Sequence, residues 1–459
     1  MAAPSRAEAP LGPWRLAVVM GSLCLGIFLF GLDTNIIGTA IPRITTDFQS
    51  LPDVSWYGSA YLLTVTAFQP LFGNLFKFFD AKIVYLTSLV IFEVGSVACA
   101  AAPRSAVLIF GRALLGFGAA GLLQGALAII GYVVRLEKVP LFQGTVVSVL
   151  GISICVGPLF GGLLTQYARW RWCFWINVPI GVCVIFVVLV FVPIRQSSNQ
   201  ANRDLSLKEK LRHMDAVGTV LFIGTVCCLL LVLTWGGNTY PWSDPRCIGL
   251  FVGFGLLSAC FCYWIWRQKD MAPIPLRVLL QRSICMGAFT LFCIGMTSQI
   301  YAYYLPIFFQ SAQGVSTTTS GVRSLSKWGY YVPYMIAGVK IMSVGAGLLT
   351  LIDVSTPAAQ WGSFLVIAGL GIGMAQQLPY TAIQATLEPE DVPTGNAIAV
   401  FTFQLGGALG LAAGQNLLIS KLQRTALRES NGDEFDESND VEPEGVKIQG
   451  SGEEKMGTK

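Results

Sequence analysis

Gly151-Ile-Ser-Ile-Cys-Val-Gly157-Pro158-Leu-Phe-Gly161-Gly162 lies inside a run that carries no charged residue between Val146 and Gln166. A run of this length and apolarity is a membrane-crossing helix. Gly157, Gly161 and Gly162 remove side chains along one part of that helix, so a neighbouring backbone can approach closely, as small-residue interfaces do in lipid. Pro158 deletes one internal hydrogen bond and bends the helix. Read on glycine content alone, the stretch is a helix-packing site.

The rest of the chain agrees with a membrane setting. Of 459 residues, 54% are hydrophobic and only 12% charged, and the mean hydropathy is +0.62; a soluble globular chain carries about a quarter charged residues. The composition predicts an all-α, polytopic membrane protein embedded in the lipid bilayer. The net charge of +4 comes from Lys and Arg collected in loops, which speaks to orientation and not to nucleic-acid binding. Most of the 12 cysteines, such as Cys24, Cys99, Cys155, Cys183 and Cys293, fall in apolar runs where cysteine acts as a small hydrophobe. Neither Cys227-Cys228 nor Cys260-x-Cys262 has zinc or redox spacing, and His213 is the one histidine, so no metal or other cofactor is expected. With no phosphate-binding Gly-rich loop and no nucleophile–base pair, neither an ATP-driven pump nor an enzyme is expected.

Hydrophobic periodicity and breaks predict twelve spans: 16–37, 54–76, 83–102, 106–130, 139–166, 173–193, 216–235, 248–266, 284–309, 331–352, 360–383 and 394–419. The expected organisation is a cytoplasmic amino terminus (1–15), a six-helix bundle (16–193) and a basic cytoplasmic connector (194–215). Two intercalated spans (216–283), an incomplete carboxy-terminal bundle (284–422) and a disordered acidic tail (423–459) follow. With the amino terminus inside, about fifteen Lys and Arg up to Arg282 fall in inner loops and about five in outer ones, as the positive-inside rule requires.

Ionisable residues inside spans are costly in hydrocarbon and mark cavities, partners or interfaces. Asp33, in Leu32-Asp33-Thr34-Asn35, is either a helix-end carboxylate at the outer headgroup boundary or a carrier that takes and releases a proton. Arg112, in Gly111-Arg112-Ala113, cannot lose its proton, so it pairs inside the bundle or snorkels to the interface. Glu93, midway along the third span, is a candidate partner for it, as a structural pair or as part of a relay.

Together these stretches resemble a family. Leu32-Asp33 through Thr39-Ala40-Ile41-Pro42, then Arg112, Gly116, Gly118 and Ala120, then the antiporter motif of Gly151, Gly157, Pro158, Gly161 and Gly162, follow one another in order. Trp170-Arg171-Trp172-Cys173-Phe174-Trp175-Ile176-Asn177-Val178-Pro179-Ile180-Gly181 is the most specific match, and Tyr304-Leu305-Pro306 and Glu390-Asp391-Val392-Pro393-Thr394-Gly395 continue it. From Leu32 to about Leu422 the chain is similar to the fungal fourteen-span drug:proton antiporters of the major facilitator superfamily, the toxin efflux pumps of the aflatoxin type. The resemblance implies export of amphipathic small molecules such as toxins and drugs, driven by protons, at the plasma membrane or else the vacuolar membrane. It implies coupling through Asp33 and Arg112, with Glu93 as a further candidate. Gln124, Gln376, Gln377 and Gln404 are candidate pocket donors, or equally interhelical hydrogen-bonding groups.

The chain departs from the family pattern in places. Lys77 fills the slot where the loop after the second span usually carries Asp, so the customary charge clasp cannot form in its usual way. Leu115 stands where many relatives carry Gln, and Thr34-Asn35 departs from the commoner order. Between Gly321-Val322-Arg323 and Ser326-Lys327-Trp328 a complete span is lacking, and a last span is lacking at the carboxyl end. Losing the span near 323–326 predicts that the three spans after it insert upside down, with Lys340 as a further cost. A passive facilitator, or a truncated and inactive product of a transporter gene, is therefore the alternative function.

Overall fold

The computed structural model describes residues 12–50, 53–134, 138–192, 209–210, 214–237, 240–268, 276–312, 331–349, 351, 358–387 and 391–431. Each of the twelve expected spans coincides with a helix. They are α1 (Pro13–Phe48), α2 (Val54–Phe78), α3 (Ala81–Ala100), α4 (Ser105–Val133) and α5 (Val139–Tyr167), then α6 (Trp172–Trp175) with α7 (Asn177–Phe191) as the sixth. The rest are α8 (Ala216–Trp235), α9 (Pro245–Gln268), α11 (Arg282–Ala312), α12 (Tyr331–Leu349), α13 (Ala358–Thr386) and α14 (Val392–Asn431), with a one-turn α10 (Leu276–Leu279) before α11. Among the described residues, seven helices carry an apolar stretch long enough to cross a membrane. Their outward faces are apolar too: Val220, Leu256 and Phe289 are each more than 60% exposed, which water would penalise and lipid matches.

Two helix ends differ from expectation. α1 continues past Ile37 to Phe48 and stops only where Gln49 turns left-handed and its N–H returns to the Thr45 carbonyl. Asp33 is therefore well inside the helix, not at its end. α14 runs on through Lys421-Leu-Gln-Arg-Thr-Ala-Leu-Arg428 to Asn431, a stretch of mostly strong helix formers, where the tail was expected to begin at 423. Residues 432–459 and most of the connector at 194–215 lie outside the described residues.

α1 to α7 form the first half, with α4 packed between α2 and α3, and α1 against α5 and α7. Its glycines set the approach: a side chain at Gly116 would meet the Tyr61 carbonyl of α2, and one at Gly118 would meet the Phe92 backbone of α3. The Trp-Arg-Trp motif closes the end away from Lys77. Trp170 Nε1 donates to Asp47 Oδ2 at 2.7 Å, Arg171 donates to the Ala102 carbonyl at 3.0 Å, and the Arg171 guanidinium stacks 4.3 Å from the Trp170 ring. At the Lys77 end Asp80 caps α3, and Lys82 donates to the carbonyls of Leu189 near the end of α7 and of Val192 just past it, at 2.8 Å each.

The second half keeps the direction that span-counting denied it. Gly287 of α11 and Gly395 of α14 both face Ile383 near the end of α13, so α11 and α14 start at the end where α13 finishes, the end that carries Lys77. Along the α12–α13 hairpin, Gly345 meets Ala368 and Gly371 meets Met342, which is an antiparallel register. α12 thus also starts at the Lys77 end. The three helices after the gap are not inverted. The packing of α13 and α14 on α11, and of Asp391 on Lys77 and Arg277, outweighs the parity of the count. The expected missing span falls at 313–330, outside the described residues. Lys340 is exposed on α12.

α8 and α9 form a hairpin in which Trp264 Nε1 donates to both Asp215 oxygens, at 3.0 and 2.8 Å. α8 wedges against α2 and α14. The halves meet chiefly along α2 and α14, and more lightly where α4 touches α14, α5 touches α13 and α1 touches α11.

Candidate functional site

Asp33 and Arg112 form an ion pair inside the first half, with 0% and 1% of their side-chain surface exposed. In lipid such a pair is tolerated only with its remaining hydrogen-bonding capacity met, and neighbouring helices meet much of it. Arg112 Nη1 bonds the Asp33 carboxylate, Arg112 Nε donates to the Tyr57 carbonyl at 2.8 Å, and the guanidinium lies 4.4 Å from the centre of the Tyr61 ring. On the other side Asn177 Nδ2 reaches Asp33 Oδ1 at 3.4 Å and Ser96 Oγ at 3.0 Å, while Ser96 Oγ donates to the Phe174 carbonyl at 2.8 Å. One carboxylate is thereby tied to α2, α3, α4 and α7.

Glu93 is not the partner of Arg112. It is buried on α3, one turn before Ser96, and neither carboxyl oxygen has a hydrogen-bond partner among the described residues. Gly181 of α7 makes room for it, because a Cβ there would collide with the carboxyl group.

The antiporter motif divides by face. Gly157 packs on Asn35 and Gly161 on Ile36 and Thr39 of α1, so α5 and α1 touch through backbone close to the turn that holds Asp33. Gly151 and Gly162 have nothing within 4 Å of a built Cβ. α5 continues as helix through Pro158.

Across the halves, Asp391 at the start of α14 is 2% exposed and takes two cations: Lys77 Nζ at 3.2 Å, and Arg277, whose Nη1 and Nη2 reach its two oxygens at 2.7 and 3.2 Å. The customary clasp does not form in its usual way, as Lys77 implies; a different one is present, in which Lys77 supplies the cation and Asp391 the anion. Beside it Gln124 Nε2 donates to the Pro393 carbonyl at 3.1 Å, and Gly73 lies against Ala397. Gln124 therefore ties the halves together at the Lys77 end. Gln404 is buried on α14 and Gln376 half-buried on α13, while the side chain of Gln377 is outside the described ones. Towards the other end Trp56 packs on Trp235 at 5.7 Å. A small cleft there is lined by Ser59 and Leu62 of α2, Leu230 and Thr234 of α8, and Ala408 and Leu411 of α14.

Asn177 and Asp391 sit inside motifs that the sequence marks without assigning them a role. Tyr57 acts through its carbonyl, which no side-chain pattern announces. Among the described residues no group of His, Cys, Asp and Glu is arranged to hold a metal.

A helical bundle in two halves, with a charge pair sealed in one and a seam of small and polar residues between them, is the architecture of a secondary transporter. The chain belongs to the Major Facilitator Superfamily, whose family model matches residues 23–411. It is 42% identical over 435 residues to the MFS-type efflux pump MFS1 of Arthroderma benhamiae, covering 91% of this chain and 81% of that one. It is 41% identical over 425 residues to the aspyridones efflux protein of Neocamarosporium betae, covering 89% and 75%. The MFS-type transporter astH of Aspergillus oryzae is 40% identical over 429 residues, covering 90% and 75%. Among solved structures the proton:xylose symporter XylE superposes with a TM-score of 0.57 at 15% identity, covering 91% of both chains. The human organic anion transporter MFSD10 gives 0.51 at 13%, covering 89% of this chain and 94% of its own. At those identities the likeness concerns the fold. The chain is a membrane-embedded, multi-pass transporter.

Proposed function

We propose that this protein exports amphipathic small molecules across the plasma membrane in exchange for protons, with the two halves alternately opening the α2–α14 seam to either side. The observation that carries the reading is the sealed Asp33–Arg112 pair. A carboxylate is the partner that can give up its charge by binding a proton while the guanidinium keeps its own, and that exchange would release four helices from one another. Asn177 orients the carboxylate, and Gly157 and Gly161 let α5 slide on α1 beside it. The names of the relatives, efflux pumps in several cases, support the direction of transport. The test is efflux of a fluorescent amphipathic compound from vesicles containing the full chain, with and without a proton uncoupler. Uncoupler-sensitive efflux by the wild type and its loss in Asp33→Asn, at equal amounts in the membrane, is the expected result.

A second reading rests on the direction of α11 and α12. Both start at the Lys77 end, and the 18 residues between them, 313–330, include Arg323 and Lys327. A chain lacking a span there is an inactive member of the family, and a well-inserted protein with no efflux is its outcome.

A further inference from the structure

The α2–α14 seam has charge at one end and a largely apolar cleft at the other, and its middle holds polar groups that lack hydrogen-bond partners among the described residues. On α2 the residues Ser59, Leu62, Thr66, Gln69, Gly73 and Lys77 recur at three- and four-residue steps, so they share one face. That face meets α14 at both ends: Lys77 on Asp391 and Gly73 on Ala397 at one, Ser59 and Leu62 in the cleft with Ala408 and Leu411 at the other. The helices run antiparallel. Seven residues from Gly73 towards the cleft is Thr66, and seven residues from Ala397 in the same direction is Gln404, so the two stand level, with Gln69 one turn nearer the clasp.

All three side chains are buried, with 0%, 0% and 5% exposure. Thr66 Oγ1, both amide atoms of Gln69 and Gln404 Nε2 have no hydrogen-bond partner among the described residues. The hydroxyl of Thr66 is a telling case. Thr34, Thr64, Thr225 and Thr402 all turn theirs back on a carbonyl of their own helix, as a hydroxyl in lipid ordinarily does. Orphaned amides in hydrocarbon are costly, and here three polar side chains stand within about one turn of one another on the main surface where the halves meet.

We propose that Thr66, Gln69 and Gln404 form a hydrogen-bonding subsite for the oxygen atoms of a neutral ligand, engaged as the seam opens. Gln69 offers both a donor and an acceptor, Gln404 a donor, and Thr66 either, which matches ketones, esters and alcohols. No charged residue lies on α2 between Val54 and Phe76 or on α14 between Val392 and Ser420, so the subsite has nothing to balance a ligand charge. Apolar Leu62, Leu230, Ala408 and Leu411 beyond it would take the hydrocarbon part. The assignment rests on the transporter reading and adds the ligand class and its contacts.

The test is equilibrium binding of radiolabelled progesterone, a neutral diketone, and of the oxygen-free steroid hydrocarbon of the same skeleton to the purified full chain in nanodiscs. Gln69→Leu and Gln404→Leu are expected to raise the Kd for progesterone about tenfold each and leave that for the hydrocarbon unchanged. The near-isosteric Thr66→Val is expected to raise it about threefold, and serves if a Leu variant does not fold. Unchanged progesterone binding in the variants, an equal loss for both probes, or a wild type that does not prefer the diketone overturns the subsite. Binding needs no proton gradient, so efflux insensitive to the uncoupler would remove the antiport reading while this comparison stood.

Discussion

Replacing Asp33 by Asn leaves its hydrogen-bonding shape and removes its charge. Arg112, 1% exposed and permanently charged, would then be held by the Tyr57 carbonyl, the Tyr61 ring and a neutral amide. Removing one member of a buried pair costs about 3–5 kcal/mol, because the other charge is left uncompensated, whereas replacing both by apolar groups is often close to neutral. Asp33→Asn is thus expected to destabilise the purified protein by about that amount, and Asp33→Asn combined with Arg112→Met to recover most of it. Thermal unfolding in detergent micelles, run as a double-mutant cycle, reads the coupling. Transport separates structure from mechanism: the double variant is expected to be stable again and still to lack uncoupler-sensitive efflux. A double variant no more stable than Asp33→Asn would refute the pairing argument. Uncoupler-sensitive efflux by Asp33→Asn would refute the proton role.

At the Lys77–Asp391 clasp, Lys77→Glu sets a second carboxylate against Asp391, so a cysteine introduced at Thr394, now 3% exposed, is expected to react several-fold faster with an impermeant maleimide added from the Lys77 side; an unchanged rate would mean that the clasp does not hold that end shut. In a background without native cysteines, Leu387→Cys is expected to label from the Lys77 side and Leu351→Cys from the opposite side, and the reverse pattern would restore the inverted topology. Gly161→Val drives a side chain into the Ile36 carbonyl and is expected to lower stability by about 1–3 kcal/mol, while Gly162→Ala, which meets nothing, should stay within about 0.5 kcal/mol of wild type by thermal unfolding.

Span positions were legible because each is set by one local quantity, the length of an apolar run. The pairing of Asp33 with Arg112 was half legible: both stood out as charges in lipid, but choosing between Asp33 and Glu93 as partner needs the rotation of α3 against α4, which no spacing along one helix contains. Glu93 and Ser96 are one turn apart, and α3 turns Ser96 towards Asp33 through Asn177 while Glu93 lies against Gly181. Lys77 in the customary Asp slot shows that the usual clasp cannot form, but the sequence does not show what replaces it. The counter-charge of Lys77, Asp391, lies 314 residues away, in a motif quoted for other reasons. The direction of α12 to α14 was misread because counting treats each span as inserted after the last, while the contacts of Ile383 with Gly287 and Gly395 belong to the assembled half.

That direction bears on how the halves can move. Rocking of one bundle on the other requires seams that part in turn, and this chain has a dense one and a sparse one. Along α2 and α14, Gly73, Gln124, Lys77 and Asp391 bind the halves at one end, with a polar middle and an apolar cleft beyond it. Along α5, Gly151, Ile152, Phe160 and Leu163 are exposed, and the contact of this helix with the second half is the light one with α13. Efflux from this chain would therefore mean that one hinged seam, carrying both the clasp and the Thr66–Gln69–Gln404 groups, suffices for alternating access. A stable, correctly oriented protein without efflux would instead place the second, α5-side seam among the requirements of transport, since the Asp33–Arg112 pair and its hydrogen-bonding partners in the first half are all in place.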